Sequence, residues 1–244
     1  MLLANFPAAL AWSFVFPNPA PITVQAIHGT IWAGRLDAVS YRSLHLNRLA
    51  WTLQGWDLLI GRLALTIRIQ SPIGTGSGIV SILGSHHLSL SQAHATLPLD
   101  QLTRDMAIGQ FTPSGTLHLH LKRLVVDGPA FEVIQGTAQA SKITIHSGVP
   151  MTLADLRLTA HSAGRGASVI AFQTGPGGSL RIKGRILLGP GRSWRLDARF
   201  KPTPRAKVSL LRLLAGYGSP GPHGFYALHL NGILPALSRI SPYL

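Results

Sequence analysis

The chain has 244 residues, of which 46% are hydrophobic and 12% charged, so it can bury a sizeable core and does not read as a disordered chain. Its 22 Lys and Arg outweigh 8 Asp and Glu for a net charge of +14, which suits nucleic acid, anionic lipid and acidic protein partners alike. The basic residues are spread singly instead of clustering beside aromatics or on one helix, so nucleic acid is not an expected partner, and zero cysteines exclude disulfides and thiolate metal sites.

Residues 1–16 are apolar apart from Asn5 and Ser13, with Pro7 interrupting them and Pro17-Asn18-Pro19 closing them. A bilayer-spanning helix needs about 20 apolar residues. The segment therefore reads as a partial N-terminal membrane anchor without a basic leader, since its first Lys or Arg is Arg35. A short amphipathic or buried piece of the domain is the alternative. Residues 17–21 read as a Pro-rich extended linker, and residues 22–244 as a β domain.

Gly29-Thr30-Ile31-Trp32-Ala33-Gly34-Arg35 follows the linker, with glycines bracketing a β-prone run that reads as a strand ending at a bend. Leu44 and Leu46 share one face, and Leu49, Trp51 and Leu53 continue in the opposite phase, which calls for a reversal or a bulge near Asn47-Arg48. Trp56 to Ile60 is a compact apolar turn, suited to one helical turn. Leu63, Leu65, Ile67 and Ile69 then alternate with Ala64, Thr66, Arg68 and Gln70, the period of a strand with one wet and one dry face. Leu97 to Met106 reads as a short helix after Pro98.

The second half follows the same logic, and two similar halves dividing near 110–115 are one possible organisation. Leu117, Leu119 and Leu121 oppose His118, His120 and Lys122; Ile143 and Ile145 oppose Lys142 and Thr144; Leu156 and Leu158 oppose Arg157 and Thr159. Gly175-Pro176-Gly177-Gly178 marks a turn, and Trp194, Leu196, Ala198 and Phe200 form the cleanest strand, opposite a frankly ionic Arg195, Asp197 and Arg199. Arg205 to Ala215 is spaced for a helix stopped by Gly216, before a last strand near Phe225 to Asn231. The fold class is mainly β: one extended antiparallel sheet or two packed sheets, with a few short helices and the partial anchor helix in front.

Candidate chemistry is thin. Gly74-Thr75-Gly76-Ser77-Gly78 lacks the Gly-Lys-Ser/Thr ending of a phosphate loop and reads as strand edge or turn. His118 and His120 share a face, and His86, His87 and His94 could add ligands. No spacing dictates the three or four converging ligands of a zinc site, so no metal or other cofactor is expected. Asp57, Asp100, Asp105, Asp127, Glu132, Asp155 and Asp197 are scattered instead of paired, and no Gly-x-Ser-x-Gly elbow occurs, so catalysis is not expected either.

From Leu3-Ala4-Asn5-Phe6-Pro7-Ala8 through Gly29 to Arg35, then Leu49-Ala50-Trp51-Thr52-Leu53, the Gly61-Arg62-Leu63 and Ala95-Thr96-Leu97-Pro98 steps, and Gly224 to Gly232, the chain resembles the type II secretion system protein N family. The resemblance marks Gly29, Thr30, Trp32, Gly34, Arg35 and Trp51 as structural signature positions. It implies a non-enzymatic, single-pass inner-membrane component with its main domain in the periplasm, partnered by other secretion subunits and the inner membrane. Arg68, Arg181, Lys183, Arg195 and Arg199 are then the candidate contacts with partners or lipid headgroups. The alternative is a lipid-binding or lipid-transfer module of the AsmA-like kind, with Leu63, Leu65, Ile67, Ile69, Trp194, Leu196 and Phe200 lining an apolar groove.

Overall fold

The structure is a computed structural model describing residues 5–15, 22–41, 44–59, 61–72, 74–83, 87–100, 112–127, 130–146, 151–164, 166–190, 193–206, 208–215 and 220–233. The alternating segments become strands β1 (Ile22–Gly29), β2 (Ala33–Tyr41), β3 (Leu44–Leu53), β4 (Arg62–Ser71), β5 (Gly74–Leu83), β6 (His87–Pro98) and β7 (Thr112–Asp127). They continue as β8 (Ala130–His146), β9 (Met151–Thr152), β10 (Leu156–Gly164), β11 (Ala167–Thr174), β12 (Leu180–Leu188), β13 (Ser193–Pro202) and β14 (Tyr226–Ile233). All belong to one sheet, paired antiparallel in chain order, with the two-residue β9 on the end of β8. Of the two expected architectures, the single extended sheet is therefore the one that forms. β6, before the 110–115 region, and β7, which begins within it at Thr112, pair along most of their length.

Because every pairing is antiparallel and side chains alternate along a strand, residues of one phase line up across the whole sheet. Ile27, Leu36, Leu49, Ile69, Gly76, Ala95 and Leu119 are successive cross-strand partners from β1 to β7. Ala138, Leu158, Phe172, Gly184, Ala198 and Leu228 carry the same row on to β14. This is the dry face, and most of its large side chains are half-buried. The two-phase pattern of β3 does not produce a reversal: the Val39–Leu46 and Asp37–Arg48 pairs flank an unpaired rung where Ala38 takes φ 49°, which lets Leu46 and Leu49 both follow buried partners, Val39 and Leu36.

Three short elements close the ends of the sheet. At one end, helix α3 (Val208–Ala215) sets Leu210, 3% exposed, against Ile145, Leu180, Phe200 and Tyr226, while Leu153 packs with Ala140 and Ile143. At the opposite end, helix α2 (Gly55–Leu59), the expected apolar turn, packs on β4, where Ala64 is 1% exposed. Helix α1 (Ala8–Val15) lies beside β1 with Ala8 buried. At about 1.5 Å per residue its 8 residues are short, and no described helix is long and apolar enough to cross a membrane. Leu97 and Pro98, expected to open a helix, instead end β6, because they pair with Leu117 and Thr116, and the helix begins just after Pro98, at Leu99 and Asp100. The rest of that expected helix (101–106), the linker (17–21) and Gly216 lie outside the described residues.

The glycine-bracketed stretch turns out to be a turn as much as a strand. Gly29 takes φ 89°, the chain bends at Ile31-Trp32, and β2 starts at Ala33. The β-prone side chains lose to backbone bonding here: the Ile31 N–H donates to the Phe6 carbonyl (3.1 Å) and the Leu53 N–H to the Trp32 carbonyl (2.6 Å). Trp51 crosses over to this turn, its Nε1–H donating to the Ile31 carbonyl at 3.1 Å while its ring covers Gly34, its cross-strand partner. The same device recurs near the other edge, where the Phe172 ring covers its partner Gly184 and the Trp194 ring covers its partner Gly232. An aromatic ring over a strand glycine restores the packing that the missing side chain forgoes. A Cβ at Gly34 would collide with the Trp51 ring. Gly34→Val should therefore destabilise the fold by about 1–3 kcal/mol through overpacking, read as an earlier midpoint in urea denaturation followed by circular dichroism.

Candidate functional site

The face opposite the dry row carries two polar rows. Arg68, Ser77, His94, His120, Thr137 and Thr159 are successive partners from β4 to β10, and Ala171, Arg185, Asp197 and His229 continue to β14. Two residues along each strand, Gln70, Thr75, Thr96, His118, Gln139 and Arg157 form a parallel row that continues through Gln173, Lys183 and Arg199. Side chains of these rows line two depressions that share Arg157 and Thr159. One of ≈ 670 Å³ spans β4 to β10, and one of ≈ 950 Å³ spans β10 to β14.

The two depressions differ chemically. The first is lined mainly by hydroxyls, amides and imidazoles: Thr96 Oγ1 lies 3.2 Å from His118 Nδ1, and the His94 and His120 rings meet edge-on with centroids 4.2 Å apart. His87 opens β6, away from this pair, and His86 lies outside the described residues. Among the described residues no three His, Asp or Glu side chains stand close enough to hold a metal ion. The second depression is cationic, lined by Arg157, Lys183, Arg185 and Arg199 with Asp197 as its acid.

The acids of this face are already engaged. Asp37, on β2, takes His28 Nε2 at 3.4 Å, Arg35 Nε at 3.4 Å and Arg48 Nε at 3.5 Å. Asp197, on β13, accepts from His229 Nδ1 at 2.8 Å and Arg185 Nε at 3.4 Å. Asp155 accepts from Gln139 Nε2 at 3.2 Å. The excess cations therefore find few carboxylates within the face. Lys183 stands directly opposite Arg199, and Arg181 directly opposite Lys201, on successive rungs of the β12–β13 hairpin. Like charges directly opposed across strands destabilise a sheet, on the order of 0.2–1 kcal/mol per pair.

Of the candidate contacts, Arg181, Lys183 and Arg199 are thus brought together, all exposed. Arg195 lies on the same strand as Arg199, opposite Leu187 and Asn231, and Arg68 lines the first depression. Sequence reading passed over Arg157, Arg185, Lys201 and His229. Hairpin arithmetic would have found two of them: a tight turn near Gly189 pairs each β12 residue with one β13 residue at a constant sum of numbers, which sets Lys201 against Arg181 and Arg185 against Asp197. The candidate groove residues all lie half-buried on the dry face, but on strands separated by seven others, Leu63, Leu65, Ile67 and Ile69 on β4 and Trp194, Leu196 and Phe200 on β13. The signature residues gather at the β1–β2 turn, where Thr30 pairs with Pro7 and Ala33, Gly34 with Trp51, and Arg35 with Asp37.

The hydrogen bond from His229 outweighs the opposing effect of desolvation and, with smaller help from Arg185, holds the Asp197 carboxyl below its ordinary pKa. A carboxyl lowered in the folded state stabilises the fold above its unfolded pKa, and that contribution is lost as pH falls through the folded one. In His229→Ala the Asp197 carboxyl should titrate at higher pH than in the parent protein, as carbon-detected NMR would read; an unmoved titration would leave Arg185 as the controlling partner.

A family model described as "Type II secretion system (T2SS), protein N" matches residues 20–229 of the chain. Type II secretion system protein N of Aeromonas hydrophila is 24% identical over 238 residues, covering 95% of this chain and 92% of that protein. The protein of the same name from Pectobacterium carotovorum subsp. carotovorum is also 24% identical, over 96% of this chain and 92% of its own length. No solved structure matches the chain.

Proposed function

Because this chain belongs to the type II secretion system protein N family, we propose that it acts without catalysis as an inner-membrane and periplasmic scaffold of that apparatus, in the export of folded proteins across the outer membrane. The single observation that carries this reading is the family match over most of the chain; the sheet supplies a physical means. Among the described residues β1 and β14 are each paired along one side, and β14 exposes Leu230 and Ile233, the latter 72% accessible. A free strand edge offers backbone donors and acceptors to a strand of another subunit. Arg68, Arg181, Lys183, Arg195 and Arg199 are the proposed contacts with acidic partners or headgroups. Residues 1–16 serve as the membrane-proximal anchor segment, with the sheet, from residue 22 onward, in the periplasm.

A photo-crosslinking amino acid at Asn231, on the exposed β14 edge, should capture another secretion subunit in the native envelope. Capture of nothing but lipid, or of nothing, would sink the scaffold reading. Alkaline phosphatase fused after Ile233 should be active if the sheet is periplasmic, and inactive fusions would reverse the proposed placement.

A second reading, the lipid-binding module, draws on the dry face. Between α2 at one end and α3 at the other, Leu63, Leu65, Ile67, Ile69, Leu119, Leu158 and Phe172 are all only half-buried, whereas the interior of a closed domain is packed to crystal-like density. In that reading Trp194, Leu196 and Phe200 extend the same apolar surface. Native mass spectrometry of the gently extracted protein decides it: phospholipid should co-purify at a fixed stoichiometry, and a lipid-free protein rules it out.

A further inference from the structure

We propose that the cations of the β12–β13 hairpin form a docking site for an extended acidic polypeptide segment whose carboxylates alternate along its chain. The starting point is the arrangement itself. Arg181 and Lys201 face each other on one rung and Lys183 and Arg199 on the next of the same phase, four positive groups with no acid among the described residues between them. One rung further, the register turns to opposite signs, with Arg185 facing Asp197 and that acid also holding His229. The hairpin thus has the means to neutralise its charge, and at two rungs in succession it carries unneutralised pairs. Arg157, which shares the row of Lys183 and Arg199 through Gln173, extends the patch along the wall of the ≈ 950 Å³ depression. Phe225 lies beneath two of the four, 5.7 Å from Lys183 Nζ and 5.5 Å from Lys201 Nζ, so its ring partly offsets their charge and fixes where the ammonium groups stand.

Spacing selects the occupant. Arg181 and Lys183 are two residues apart on one strand, as are Arg199 and Lys201 on its neighbour, which sets like groups about 7 Å apart along the strand and about 4.8 Å apart across it. Alternate side chains of an extended peptide lying along the hairpin repeat with the same 7 Å period of roughly two strand residues. Each carboxylate of such a segment meets one opposed cation pair. A bilayer presents its headgroups as a plane, and Lys183, Arg199 and Arg157 line a concavity that a plane does not follow. A single phosphate satisfies one rung and leaves the next repelling. Naming a protein as the source of the acidic segment rests on the associative reading above, while the binding itself is a property of the isolated chain.

Fluorescence anisotropy on the purified full chain tests this with labelled peptides of equal charge, one alternating Glu and Ser, the other with Glu in adjacent pairs. The alternating peptide should bind more tightly, and Lys183→Gln combined with Arg199→Gln should weaken it about tenfold while leaving the melting temperature unchanged or higher, since a repulsive pair is removed. Should that variant melt lower, Arg181→Gln with Lys201→Gln carries the same comparison. Equal affinity for both peptides, or an affinity that neither variant changes, overturns the proposal. So does binding confined to phosphatidylglycerol vesicles, or displacement of the peptide by millimolar inorganic phosphate. A positive peptide result with no subunit captured at Asn231 would leave the site standing and the scaffold reading without its partner.

Discussion

The rest of the structure depends on register. In an antiparallel meander each strand inherits its phase from the one before, and a slip of one residue would turn its leucines to water and its arginines to the dry side. Here the inheritance holds from Ile27 on β1 to Leu228 on β14, with single-residue corrections where the ladder shifts between β5 and β6, within β7 and β8, and late in β10. Non-glycine residues in the left-handed region absorb some of these: Gln92 takes φ 50° and Lys142 φ 53° at or beside such shifts. Each costs about 1–2 kcal/mol, less than exposing the apolar face of a whole strand.

A sheet held in this way draws much of its stability from cross-strand pairs. The two clusters of buried apolar residues, around Leu210 and Leu153, lie together at the α3 end, whereas the rest of the dry face relies on a few single buried residues such as Leu36, Val39 and Ala198, on half-buried leucines and isoleucines and on rings laid over glycines. The opposite face follows a different rule. Its two most heavily engaged acids, Asp37 and Asp197, each sit one strand in from an edge, on β2 and β13, and each draws in a histidine and at least one arginine. Between them, among the described residues, the positive charge goes largely unanswered. A protein so arranged presents surface and edges to other molecules, which suits membership of a multi-component secretion machine.

Much of this was legible beforehand because strand periodicity is local. Leu63 to Ile69 and Trp194 to Phe200 announce their dry face by alternation alone, and the mainly β class, the one-turn helix near Trp56 and the helix before Gly216 follow from spacing and punctuation. Local preference misled at two places. Thr30, Ile31 and Trp32 are β-formers that ended in a turn, because Phe6 and Leu53, distant in sequence, claimed their backbone groups. Leu97 and Pro98 became the end of a strand, because Leu117 and Thr116 offered them a ladder.

From its residues alone the chain determined which positions are wet and which dry, its excess of positive charge and its family, since each is carried by short-range pattern or by order along the chain. The tertiary structure decided which distant residues became neighbours: one sheet instead of two, Trp51 over Gly34, His229 on Asp197, and Lys183 facing Arg199. The reason is physical, for alternation orients a side chain relative to its own strand, whereas only the hydrogen-bonded register between strands places it beside a particular partner.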